Sequence, residues 1–114
     1  MKLPEDPIIL ELLPDFIESW TKDVESKLED IVHSKNEHEL FRFGHTLKGS
    51  SRQFGVDHIA HYGTALQDFS KNQDWNAALQ LKSEILNSLQ EVKLYLVCQG
   101  LLPTQNQRDI PSNL

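Results

Sequence analysis

Apolar side chains recur every three or four residues along nearly all of this 114-residue chain. That is the spacing of a helix, whose side chains return to one face at i+3 and i+4, and not that of a strand. Ile9, Leu12, Leu13, Phe16, Ile17, Trp20, Val24, Leu28, Ile31 and Val32 keep to it. Pro14 falls inside this run, and proline lacks the N–H and crowds the preceding turn. The expectation is a short extra N-terminal helix, opened by Asp6 as cap and Pro7 in the first turn, that breaks or kinks at Pro14. A long helix should follow, from about residue 14 to residue 34.

The next boundaries come from capping chemistry. Asn36 with Glu39 three residues on has the form of a capping box, so a second helix should begin near Glu37. Gly55 suits a left-handed ending for it. Asp57 is a candidate cap for a third helix with Ile59, Ala60, Gly63, Leu66 and Phe69 inward. The polar stretch 70–74 reads as a turn, with Asp74 capping a fourth helix. That helix should bury Trp75, Ala78 or Leu79, Leu86, Leu89, Val92 and Leu96, running toward Gln99 before Gly100 and Pro103. The fold class is therefore all-α, an antiparallel up-down four-helix bundle with a short extra N-terminal helix. It should occupy residues 1–102, with residues 103–114 as a flexible polar tail.

Charge and cysteine usage narrow the function. A formal net charge of −6 opposes general nucleic-acid binding, which needs a basic surface. Cys98 is the one cysteine, so no intramolecular disulfide can form. Its place near the end of an apolar helix suggests burial. The N-terminus lacks the apolar run of a signal peptide, and no stretch approaches the roughly 18 apolar residues of a membrane span. A cytoplasmic protein that does not enter membranes is the simplest reading.

The chemistry concentrates in residues 41–55. Leu40, Phe43, Leu47 and Phe54, with the small Ser50 and Ser51 between them, form a core stripe. His45 lies about 200° around the helix from Leu47, so it should face water. Phe41 precedes it by four residues, and Lys48, Gly49 and Arg52 follow at i+3, i+4 and i+7. A solvated neutral imidazole is a competent nucleophile for a phosphoryl group. Lys48 could offset the roughly two negative charges such a group carries. Gly49, a poor helix former, would leave clearance for a partner. The alternative is a solvated surface histidine beside a lysine. His58 and His61, at i and i+3, could share a metal, but nothing supplies a third and fourth ligand at fixed spacing.

His45-Thr46-Leu47-Lys48-Gly49-Ser50-Ser51, with Phe54-Gly55 following, resembles the signature of histidine-containing phosphotransfer (HPt) domains, approximately His-x-Leu-Lys-Gly-Ser-x-x-x-aliphatic-Gly. The resemblance extends over about residues 13–99, including Leu66-Gln67 on the third helix. It implies a monomeric bundle that carries a phosphoryl group on His45 from the aspartate of one receiver domain to that of another. The receivers would belong to a hybrid sensor kinase and a response regulator. The bundle would have no ATP site, no cofactor and no turnover of its own, since Mg²⁺ sits on the receiver. The resemblance makes Lys48 the charge partner, Gly49 the clearance position, Ser50 a small position and Gln67 the group that orients the imidazole. Phe41, Arg42, Lys48, Ser50 and Arg52 form the expected docking face, its basic residues suited to a receiver's acidic pocket. An unphosphorylated adaptor using the same face is the rival reading. Gly44, where the family commonly has alanine, and Tyr62-Gly63 depart from the pattern in ways that bear on packing.

Overall fold

The computed structural model describes residues 4–100. They form α1 (Pro7–Ser34), α2 (Glu37–Gln53), α3 (Asp57–Asn72) and α4 (Trp75–Cys98). Links of two or three residues force each helix back along its predecessor. Each helix packs on its neighbours in sequence, α1 closes the ring against α4, and α2 with α3 is the most intimate pair. The all-α, up-down four-helix architecture is as the periodicity predicts.

Local chemistry explains the boundaries. Asp6 Oδ1 accepts from Ile8 N at 2.9 Å, Asn36 Oδ1 from Glu39 N at 3.1 Å, and Asp74 Oδ1 from Ala77 N at 3.2 Å. Each bond satisfies a first-turn donor that has no partner within its helix. The Asn36 cap is half of a capping box, because the Asn36 N–H goes back to Ile31 O and the Glu39 carboxylate pairs with Arg42. At its other end, α2 closes with Val56 N donating to Ser51 O at 2.9 Å and Gly55 N to Arg52 O at 3.1 Å. Gly55 takes φ +75°, so this is a Schellman ending around a left-handed glycine. The same pattern ends α1 at Lys35 and α3 at Gln73, both at φ +53°, where an L side chain is strained.

Four expectations are corrected. The separate leading helix does not exist: α1 runs unbroken through Pro14. Proline there removes one backbone bond, and the packing of Leu13, Phe16 and Ile17, all buried on the core side, outweighs it. Asp57 is the first residue of α3 and not its cap. Val56 holds the cap position without a side-chain bond, since it is buried and its N–H already closes α2. The 70–74 turn shrinks to Gln73-Asp74, because Ser70 stays helical to donate its hydroxyl to Glu37 O at 2.6 Å. Cys98 is exposed, at the last turn of α4. In addition α4 buries Ile85, while Trp75, Leu79 and Leu86 are half-buried against the core. The tail expected over residues 103–114 lies outside the described residues.

The core joins Leu13, Val24 and Leu28 of α1 to Leu40 and Leu47 of α2, Ile59 and Leu66 of α3, and Ile85, Leu89, Val92 and Leu96 of α4. Two aromatic pairs lock α1 against the second helix and its ending. Phe16 stacks on Phe54 with centroids 4.5 Å apart, and Trp20 meets Phe43 edge-on at 5.5 Å. On the far side, Lys82 Nζ reaches Glu29 Oε2 at 2.9 Å and Tyr62 shares a 3.0 Å hydroxyl bond with Ser88. Among the described residues no helix is long and apolar enough to cross a membrane.

Two measurements follow from this geometry. Lys35→Gly should stabilise the fold by roughly 0.5–1 kcal/mol, because glycine relieves the left-handed strain at some cost in unfolded-chain entropy. Urea denaturation of the variant checks it. Glu29 is held below its ordinary value of 4.5 by the Lys82 hydrogen bond, then by the Lys82 charge. A depressed carboxylate contributes stability above its unfolded pKa and loses it as pH falls through its folded one. The advantage of the native chain over Glu29→Gln in urea denaturation should therefore be present at neutral pH and shrink as pH falls below 4.5.

Candidate functional site

The site is an edge of α2 whose opposite side is clamped in the core. Leu40, Phe43, Gly44, Leu47 and Ser51 are buried. That fixes the rotation of the helix and leaves His45, Gly49 and Arg52 exposed, with Phe41, Lys48 and Ser50 half-buried. His45, Phe41, Arg42 and Thr46 line one shallow depression together with His38, an additional imidazole one turn before Arg42.

Phe41 neither folds fully inward nor stands free. The Nζ of Lys71, on α3, lies 5.6 Å from its ring centroid, within reach of a cation–π contact. Lys71 therefore brings a further cation to this face. No spacing within α2 could have revealed it, because the contact joins two helices. The basic belt is otherwise uneven. Arg42 pairs with Glu39 at 3.3 Å on the surface, whereas neither Lys48 nor Arg52 is in an ion pair among the described residues. Exposed pairs of this kind contribute little to stability and leave the arginine free to exchange partners.

Gln67 is 7% exposed, on the face of α3 that meets α2. Among the described residues no hydrogen bond joins its side chain to His45. Its backbone N stands 3.1 Å from where a Cβ on Gly44 would be, so α3 carries Gln67 past the residue that precedes the histidine. The two glycines of this crossing approach each other backbone to backbone. A Cβ on Gly44 would meet Gly63 O at 2.6 Å, and one on Gly63 would meet Gly44 O at 2.5 Å and Lys48 N at 2.6 Å. Both sit mid-helix, where glycine costs about 0.5–1 kcal/mol relative to alanine. Their compensation is proximity.

Gly49 is different in kind. A Cβ there would meet nothing within 4 Å, so no contact inside the described residues requires a glycine. Ser51 is fully buried and its hydroxyl has no partner among the described residues, which makes its small volume and its capping carbonyl the parts the fold uses. His58 and His61 are exposed on α3, and no third His, Cys, Asp or Glu joins them among the described residues.

The model of the Hpt domain family covers residues 11–94, which takes in α2 and α3 whole, most of α1 and α4, and every residue of the site. No curated protein and no solved structure matches the chain.

The empty surroundings of Gly49 set up a simple test of why it is glycine. Gly49→Ala should fold normally and gain roughly 0.5–1 kcal/mol of stability, as alanine is the better helix former and meets no neighbour. Thermal and urea denaturation read this directly. A loss of stability would mean that the fold itself needs the glycine.

Proposed function

This chain belongs to the Hpt family, whose members carry out histidine phosphotransfer with receiver domains in two-component phosphorelays, and we propose that His45 is the residue that carries the phosphoryl group. The observation behind this is the disposition of one helical edge. His45 is exposed on a helix whose rotation the core determines, Lys48 follows one turn on, and Gly49 faces open space.

In the forward step a receiver's aspartyl phosphate is the donor, with a hybrid sensor kinase as its source. The lone pair of the unprotonated ring nitrogen of His45 attacks phosphorus. The P–N bond forms as the P–O bond to the aspartyl carboxyl breaks, and the carboxylate leaves with the electron pair. The other ring nitrogen keeps its proton, so positive charge on the ring offsets part of the phosphoryl charge. Transfer to the aspartate of a second receiver, on a response regulator, reverses these bond changes. The receiver supplies the Mg²⁺ and its acidic pocket. This chain supplies positioning and a charge environment, the larger part of catalysis in phosphoryl transfer.

Each neighbour has a part. Lys48 stands one helical turn from His45 with no carboxylate partner among the described residues, which leaves it for a phosphoryl oxygen. Gly49 leaves room for the receiver to bring its aspartate to the imidazole. Gln67, packed beside Gly44, is the candidate for orienting the ring. Phe41, with Lys71 over it, forms an apolar and cationic anchor beside the nucleophile. Arg42, Ser50 and Arg52 extend the face a receiver would cover. One bundle is sufficient for this chemistry, so the chain acts as a monomer.

Incubation with a phosphorylated receiver should label the wild type with an acid-labile, base-stable phosphate. His45→Gln should take no label. Gly49→Gln should fold as stably and take it much more slowly, because the added side chain occupies the clearance and nothing else. A wild type that binds the receiver yet stays unlabelled would overturn the carrier reading in favour of an adaptor.

A further inference from the structure

Lys48 is half-buried, although its charge has no partner in an ion pair among the described residues. What covers its root is the backbone of α3. An added Cβ on Gly63 would lie 2.6 Å from Lys48 N and 2.8 Å from Lys48 Cβ, both closer than such atoms pack in proteins. The reciprocal contact is Gly44, the residue before His45, whose carbonyl would lie 2.5 Å from the same Cβ. Two helices do not need a glycine from each partner to pack, since ridges of larger side chains interdigitate well at ordinary separations. Here both helices give up helix propensity to meet at the one level that holds His45 and Lys48.

We propose that Gly63 is a positioning residue for the phosphotransfer reaction: by having no side chain, it lets α3 seat the root of Lys48 and so sets the direction in which the ammonium group leaves α2 toward His45. The inference rests on the reading of His45 as phosphoryl acceptor. Lysine carries a flexible stem with much rotamer freedom, most of which must be lost to hold an oxygen in the transition state. A stem confined at its first bonds has lost part of that freedom before the phosphoryl group arrives. This is preorganisation of a charged group through packing, with no contact between Gly63 and the reacting atoms.

Such a residue acts through the lysine, and a double-mutant cycle isolates that dependence. The probe is phosphoramidate, a small phosphoryl donor that needs no receiver surface. Labelling of His45 is followed by ³¹P NMR in the wild type, Gly63→Ala, Lys48→Ala and the double variant, with thermal stability measured in parallel. Gly63→Ala should slow labelling severalfold when Lys48 is present and change it little when Lys48 is alanine. An equal slowing in both backgrounds, or none in either, overturns the proposal, because a general loosening of the bundle would act regardless of the lysine. Labelling of His45→Gln as fast as wild type would instead overturn the acceptor reading, and this inference with it. If Gly63→Ala does not fold, the wild type still decides the matter through side-chain carbon relaxation. The β and γ carbons of Lys48 should be markedly more ordered than those of the exposed Lys22 and Lys27, and equal mobility overturns the proposal.

Discussion

The structure depends on a place where two helices touch without side chains. At Gly44 and Gly63 the backbones of α2 and α3 approach until a methyl group on either would collide with a carbonyl oxygen of the other. Helix packing usually keeps axes apart by the bulk of interdigitated side chains. Removing that bulk at one level makes α2 and α3 the most intimate pair of the bundle. The crossing lies against Gly44 and Lys48, which bracket His45 on either side. Packing and chemistry therefore meet at the same turn of α2.

The rest of the bundle holds that turn in orientation. Phe16 on Phe54 and Trp20 on Phe43 tie α1 to the second helix and its ending, and Ser70 fastens α3 to the first carbonyl of α2. α4 completes the core from the other side, and the Glu29–Lys82 bridge and the Tyr62–Ser88 bond join it to α1 and α3. None of these contacts involves His45. His45, the proposed phosphoryl acceptor, is placed by what its helix buries, which leaves its ring exposed. Gly49 extends the same logic outward, since its lack of a side chain answers to nothing within the described residues.

Much of this was legible in the sequence. Apolar spacing gave the four helices, and Asp6, Asn36, Asp74 and Gly55 marked ends that the hydrogen bonds bear out. The exposure of His45 and Gly49 and the burial of Leu47 also followed from angles around a helix. At Pro14 and Ser70 local propensity points one way and a contact from elsewhere in the fold prevails, while at Asp57 the buried Val56, whose N–H closes α2, takes the cap position. Cys98 looked buried because its neighbours are apolar, yet it stands on the outer side of the last turn of α4. Gly44 and Gly63 read as departures from a family pattern, with no sign that the two face each other.

By itself, then, the sequence determined which segments are helical, which side of α2 is wet, and which residues on that side are the candidates for phosphoryl transfer. These are properties of residues three or four apart, which a helix brings together whatever surrounds it. The tertiary structure alone decided how closely α3 passes beneath Lys48, that Lys71 rests over Phe41, and that Gln67 is carried past the residue before His45. Those facts belong to pairs on different helices. Their relative height and rotation are settled by the whole core at once, and no short-range pattern records it.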